Sequence, residues 1–402
     1  MSAAVQFDRI DHRNLAAVLE SHGRYLVRRP GGRRAVLNYA DLANCQLAGV
    51  DLSEAELTGC RFRGADFSGA QLENAVLYGA DLRDADLRGA NLSRVDLRGA
   101  CLRGANLAGA NLSGCDLREG RIATQDRRTG FKVFEHEDRA GELTYAVLQG
   151  ANLAGAQMTG AWATAADFSD ADLTGASLVG AKLGRAMLDR ADLSGADLFH
   201  ADLCGASMRD TVLARTNVGD ANTDDVDFAG AIHTPHPIAY VDDRALHEVL
   251  ADHERFCGSD GRQGGPGRIN GADLRALRQL RRRKLSGLIA RDCVFVSMDL
   301  EGVELQGADL TGADLRGARL RGADLRGVRL VGARLTRADL RDTVLEPLMI
   351  DEGREMRADL SRACLKFADL RGARARKARF LGADRDSCKF DDADLTGAEM
   401  EI

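Results

Sequence analysis

Ala80-Asp81-Leu82, Ala85-Asp86-Leu87 and Ala90-Asn91-Leu92 follow one another at intervals of five residues. The same triplet stands earlier as Ala40-Asp41-Leu42, Ala55-Glu56-Leu57 and Ala65-Asp66-Phe67. Each step has a large apolar centre with a small residue two positions before it. Working outward, centres run from Leu37 to Leu117 and from Leu148 to Phe228, seventeen steps each, with Ala163 as a reduced centre in the second run. Eleven more run from Phe295 to Leu345 and nine from Leu360 to Met400, giving fifty-four in all. An amphipathic helix repeats its apolar stripe at 3.6 residues and a half-buried strand alternates at 2. A sustained period of five fits neither and calls for a solenoid in which every step turns a corner.

Composition agrees. The 402 residues are 45% hydrophobic but only 5% aromatic, with one Trp and five Tyr. Such an interior is narrow and filled by Leu and Ala. Collagen needs far more Gly and Pro than the 44 and 5 present. Nine Cys in this length are too few for a disulfide scaffold. A normal apolar fraction with nearly cancelling charges excludes disorder. Gly89, Gly99, Gly104 and Gly109 fall two residues after a centre, where a corner needs permissive backbone. Pro is scarce because stacked coils need their N–H groups. With no apolar stretch of membrane-spanning length and no apolar leader in residues 1–10, a cytoplasmic protein without membrane contact is expected.

The tandem A(D/N)Lxx pattern resembles the pentapeptide-repeat family. The resemblance implies an all-β solenoid, a right-handed quadrilateral β-helix. In that fold four steps make one coil, and centre and small residue both point inward. At ~4.8 Å per coil, 34 steps would stack to about 40 Å and 20 to about 24 Å.

A duplication overlies the repeat. Leu15, Val18, Leu19, His22, Arg24 and Tyr25 match Leu246, Val249, Leu250, His253, Arg255 and Phe256 at one constant offset. Both stretches read as short amphipathic helices, with Asp11 and Asp242 or Asp243 as N-caps. Each is followed by a Gly-rich turn and an Ala-Asp-Leu step, at Ala40 and at Ala272. The expected organisation is a capping helix plus β-helix over 1–232, a linker over 233–241 around Pro235 and Pro237, and a second helix plus β-helix over 242–402. The helices would cover first coils that are otherwise open sheet edges. A homodimer through the C-terminal coil ending at Met400-Glu401-Ile402 is implied by the family's gyrase-binding members. Two interruptions break the runs. Residues 123–142, with Arg128-Thr129-Gly130 before Phe131-Lys132-Val133-Phe134, read as a hairpin. Asp351–Arg357 keeps the five-residue register and reads as a deformed coil.

Catalytic constellations are not evident. Cys45, Cys60, Cys115, Cys293 and Cys388 occupy the small inward position and read as structural thiols. His22 and His253, matched in the two helices, read as helix-to-coil hydrogen-bonding groups. His233, His236, His247 and His253 cluster near the linker without metal-ligand spacing. No enzyme activity, cofactor or metal is expected. The basic run Arg278, Arg281-Arg282-Arg283-Lys284 has no aromatic neighbours for base stacking, so it reads as packing under the second helix's acids rather than as a nucleic-acid site.

Charge carries the remaining signal. Around Asp81, Arg83, Asp86, Arg88, Asp96 and Arg98 the signs alternate. Residues 150–232 instead hold twelve acids against five bases, a local net charge of −7 beside a whole-chain −6. The expected function is a non-enzymatic scaffold that binds a protein partner through β-helix faces and the hairpin. The expected contacts are Phe131, Val133, Phe134, Asp172, Asp192, Asp197 and Asp202. The alternative, implied by the family's DNA-mimicking members, is a gyrase inhibitor or protector, with a topoisomerase as partner. Its acidic stretch would match a duplex's charge per ~1.7 Å.

Overall fold

The computed structural model describes residues 8–9, 12–120, 122–126, 130–134, 141–235, 239–277, 280–351 and 353–400; the side chains of 8, 9, 12, 13, 122–126 and 130–134 are not included. The chain divides into two compact units, Met1–Thr234 and Pro235–Ile402.

The period of five becomes a coil of twenty. Asp81 pairs in parallel with Arg61 before it and Cys101 after it, and Asp86 with Asp66 and Asn106, so four steps complete one turn. Two backbone hydrogen bonds show how a step is held: Leu82 N–H donates to Cys101 O at 2.8 Å, and Asp81 N–H donates back to Cys60 O at 2.9 Å. The corner closes locally, with Ala85 N–H donating to Leu82 O at 3.1 Å. The residue two after the centre takes a left-handed backbone, φ 63° at Gly89 and 59° at Asp84. Gly suits that conformation best, and Asp and Asn tolerate it better than most residues. Along the middle of each run both inward residues of a step are buried, as at Ala80, Leu82, Ala85 and Leu87, while the last coils leave them partly exposed, as at Val218 and Leu395. Two of the aromatic residues that enter the core, Phe62 and Phe67, meet edge-on with ring centres 5.0 Å apart.

In the first unit, β1 (Asp8–Arg9) pairs in parallel with β2 (Ala40–Asp41), and α1 (His12–Leu26) lies between them in sequence. Leu15, Val18 and Leu19 on α1 join the β-helix core. The ladder is interrupted once. Cys101 pairs with Glu142, so the connection holds twenty-one residues more than one coil. Within it β3 (Ile122–Asp126) and β4 (Gly130–Phe134) form an antiparallel hairpin. The second run thus begins at centre Leu143, one step earlier than the sequence pattern suggests. The last coil pairs β5 (Val212–Leu213) with β6 (Ile232–His233). His233, at the start of the expected linker, is therefore part of this ladder. His236 and Pro237 lie outside the described residues.

The second unit opens with a tight hairpin, β7 (Tyr240–Val241) against β8 (Arg244–Ala245), leading into α2 (Leu246–Gly258). Asp242 and Asp243 are not helix caps. They are the two turn residues, at φ 47° and 63°, as a two-residue hairpin of type I′ requires. The helix starts after Ala245, which makes no side-chain cap. Asp11, the expected cap of α1, lies outside the described residues. Leu246, Val249 and Leu250 of α2 pack into the second core.

This ladder starts before Phe295. Arg268 pairs with Ile289 and Asp273 with Val294, twenty-one residues apart. The extra residue is taken up beside a 3₁₀ turn at Leu274–Leu277. Ile269, Leu274, Leu280, Leu285 and Ala290 are the buried centres. A one-residue slip and an Ala centre conceal them in the sequence. The segment read as a deformed coil is a second hairpin, β9 (Leu348–Asp351) antiparallel to β10 (Arg354–Met356). Arg329 pairs with Asp359, ten residues more than one coil. An insertion of two whole steps preserves the five-residue register, so the register alone cannot reveal it.

Candidate interaction surface

Each Asp before a centre serves the turn first. Its Oδ1 accepts the backbone N–H two residues on: Arg83 to Asp81 at 3.2 Å, Arg88 to Asp86 at 3.1 Å, Thr174 to Asp172 at 3.0 Å, Ser194 to Asp192 at 2.9 Å. This side-chain turn is the reason for Asp at that place. Asn does the same through its amide oxygen, as at Asn91 and Asn111. Where the side chain makes this turn an acceptor suffices and a charge is not needed, and Val76, Val147 and Met187 hold the same ladder position without either.

What happens to the charge depends on the next outward residue. In the coils of Asp81, Asp86, Asp96 and Asp116 it is Arg, which folds back onto the same carboxylate. Arg83 Nε reaches Asp81 Oδ1 at 2.7 Å, and Arg118 reaches both oxygens of Asp116 at 2.9 and 2.7 Å. The hydrogen bonds from Arg88 hold the Asp86 carboxyl below the usual carboxylate range. At Asp81 burial opposes the charge, and the Arg83 contacts outweigh it, leaving the pKa lowered. The second unit repeats the arrangement at Asp273–Arg275, Asp314–Arg316, Asp324–Arg326, Asp339–Arg341 and Asp369–Arg371.

At the Asp-bearing steps of residues 150–232 the residue following the centre is not Arg. After Asp167, Asp172, Asp192, Asp197, Asp202 and Asp227 it is Ser169, Thr174, Ser194, Phe199, Cys204 and Ala229. Charge neutralisation here includes contacts from neighbouring coils. Arg190 grips the buried Asp170 through two 2.8 Å bonds, and Arg209 meets Asp227 at 2.5 Å.

The four expected Asp contacts do not share one face. Asp172 and Asp192 are ladder neighbours on one side of the coil; Asp197 lies on the next side and Asp202 on the one after. Asp197 and Asp202 also accept from Asn217 and Asn222 one coil on, at 2.8 and 3.1 Å. The strongest local excess lies on the fourth side, whose steps hold Asp167, Asp170, Asp189, Asp210 and Asp227 against Arg190 and Arg209. Reading the sequence at a period of twenty, rather than five, picks out that side. Phe131 and Val133 pair with Gln125 and Ala123, and Phe134 with Ile122, in the first hairpin; their side chains lie outside the described set.

Four of the thiols and two of the imidazoles are committed to structure. Burial pushes the Cys60, Cys115, Cys293 and Cys388 thiols up to about 12. Cys60 donates to Leu37 O and Cys293 to Ile269 O, at equivalent places in the two units. His22 Nδ1 accepts Ala35 N–H at 3.1 Å, and His253 Nδ1 accepts Gly267 N–H at 2.9 Å. Burial lowers both imidazole pKa values, which suits neutral acceptors. The basic run is also engaged: Arg283 clasps Glu254 of α2 at 2.7 and 2.6 Å, and Arg281 meets Glu301 at 2.9 Å. Arg278 lies outside the described residues. Among the described residues, no helix is long and apolar enough to cross a membrane.

Stacked five-residue steps with paired inward residues define a repeat β-helix protein. The family model for pentapeptide repeats matches residues 33–69, 65–104, 100–120, 142–170, 166–205, 191–230, 280–317, 304–342 and 356–384, more than half of the chain. The chain belongs to the pentapeptide-repeat family. Among solved structures it is similar to HetL of the cyanobacterium Nostoc, a pentapeptide repeat protein involved in heterocyst differentiation regulation, at 21% identity. That match covers 90% of this chain and 96% of HetL, with a TM-score of 0.18. QnrB1, a plasmid-mediated fluoroquinolone resistance protein, matches at 22% identity over 50% of this chain and 84% of its own, with a TM-score of 0.23. A pentapeptide repeat protein of the Arabidopsis thaliana thylakoid lumen matches at 27% over 32% and 68%, with a TM-score of 0.20. No curated protein matches the chain.

Proposed function

We propose that the protein is a non-enzymatic interaction scaffold whose partner, a protein with a basic surface, binds the first β-helix between residues 150 and 232. One observation carries this reading. The Asp-turn device recurs along the solenoid, and no Asp turn in this stretch is followed by the Arg that answers the carboxylate in the same step at Asp81, Asp86, Asp96 and Asp116. Solenoids offer long, rigid faces for such binding. In this reading α1 and α2 act as caps over the first coils, and the β3–β4 hairpin with Phe131, Val133 and Phe134 adds an apolar contact beside the acids.

The test is affinity capture with the full chain and with a D172N/D192N/D197N/D202N variant, followed by identification of bound proteins. Asn keeps the turn acceptor and removes the charge. Partners that bind the native chain and leave the variant support the reading; an unchanged set of partners rejects it. A topoisomerase partner is the alternative, and a gyrase supercoiling assay with purified protein decides it. The absence of both inhibition and protection at micromolar concentration removes that alternative.

A further inference from the structure

The β9–β10 hairpin of the second unit folds back over coils that precede it. Gly307 and Gly327 make room. A Cβ at Gly327 would stand 2.8 Å from Leu348 Cβ and 3.1 Å from Met356 O, and one at Gly307 would stand 3.3 Å from Leu348 Cδ2. Glu355 is tied to Lys377 at 2.9 Å, and Arg357 to Glu399 at 2.8 Å. Beside the seated hairpin runs a groove of about 870 Å³, within the range of sites that hold ligands.

Its two walls differ. One is a side of the β-helix, where Ile289, Asp309, Arg329, Asp359 and Arg379 stack on successive coils. The other is the uninterrupted run Gly353–Arg357. A strand that presents a face contributes every second residue. One that contributes every residue presents its edge. β10 pairs with β9 along one edge, and among the described residues no backbone hydrogen bond reaches its other edge. A free strand edge is a template for a further strand.

We propose that this groove binds an extended, carboxylate-bearing peptide segment that adds to the free edge of β10. Four guanidinium groups line the groove, those of Arg329, Arg354, Arg357 and Arg379, against three carboxylates. Acids that do not line the groove hold three of the guanidinium groups, Asp351 that of Arg354 at 2.8 Å and Glu399 those of Arg357 and Arg379 at 2.8 and 3.3 Å, and two of the carboxylates are held by bases that do not line it, Asp309 by Arg291 at 2.7 Å and Glu355 by Lys377. The third, Asp359, accepts the Ser361 hydroxyl at 2.6 Å. Arg329 meets Asp309 only at 3.7 Å and is 59% exposed, so it can turn to an incoming carboxylate. Ile350 and Met356 supply apolar contact for the alternate residues of the segment. The site is separate from the acidic stretch of the first unit and does not depend on its role.

The experiment selects a phage-displayed library of linear heptapeptides on the full chain and counter-selects on a variant lacking 346–355. That deletion joins Leu345 to Met356 and leaves Leu345 and Leu360 five residues apart, so the coil register survives. The expected result is enrichment of proline-free sequences carrying Asp or Glu. The synthetic form of the best clone should slow amide exchange over 353–357 and bind an R329E/R379E chain at least tenfold more weakly. These two arginines are on the surface, so the double variant retains the fold and tests the site even if the deletion does not. No clone dependent on the hairpin, enrichment of basic sequences, protection elsewhere, or undiminished binding by R329E/R379E would overturn the proposal.

Discussion

At Asp86 and at Asp172 the backbone does the same thing: a carboxylate oxygen accepts the N–H two residues on, and the centre beside it is buried Leu. At Asp86 the residue that donates is Arg88, whose guanidinium then takes both carboxylate oxygens. At Asp172 it is Thr174, whose hydroxyl adds a 2.7 Å bond to the same oxygen and brings no charge. The two stretches share a fold and differ in what they show to solvent. The difference resides in a position that the coil leaves unconstrained, so surface character can be rewritten along a pentapeptide solenoid with little effect on its core.

The core is where the comparison breaks most severely if it is wrong. Leu87→Ala and Leu173→Ala should each destabilise by about 3 kcal/mol, measured by urea unfolding, and by closely similar amounts. A clear inequality would mean that the acidic stretch has a different interior. Next come the turns. Asp86→Ala and Asp172→Ala should each cost about 1 kcal/mol through the lost acceptor, whereas Asp172→Asn should cost almost nothing. A large loss for Asp172→Asn would show that its charge serves stability.

Grafting the missing partner sharpens the contrast. Thr174→Arg with Ser194→Arg should change stability by under about 0.5 kcal/mol, as surface pairs do, yet abolish capture of a basic partner. Capture that survives the graft would separate the acidic stretch from binding. The smallest effect concerns acid. Asp86 has a folded pKa below its unfolded value near 3.9, so its pair contributes above that value and the contribution is lost as pH falls through the folded pKa. Melting temperatures of Arg88→Ser from pH 5 to 2.5 should therefore fall slightly less steeply than those of the native chain. A steeper fall would contradict the pairing.

The repeat made the interior legible because each step restates it: Ala80, Ala85 and Ala90 with Leu82, Leu87 and Leu92 are three copies of one instruction. Features that occur once per unit were harder to read. The early coils at Ile269–Ala290 were hidden by one extra residue and an Ala centre. The second hairpin was hidden because its ten residues keep the register. Asp242 and Asp243 could be read as caps, and only the pairing of Tyr240–Val241 with Arg244–Ala245 makes them a turn. The local charge was visible as a sum over 150–232. Its distribution around the coil was not, because sides are set by a period of twenty and the eye follows five.

The interruptions show what the ladder tolerates. After the first hairpin the chain re-enters at Glu142 stacked on Cys101, and after the second at Asp359 stacked on Arg329. Both excursions return the chain to the angular position it would have reached without them. A solenoid of this kind works like an indexed dial with four stops. Adding or removing a single pentapeptide would leave every inward contact of its usual type, yet rotate all later outward residues by a quarter turn. Partner surfaces far along the coil are thus phased by the lengths of segments far from them, and a five-residue change upstream is a rearrangement of the downstream surface.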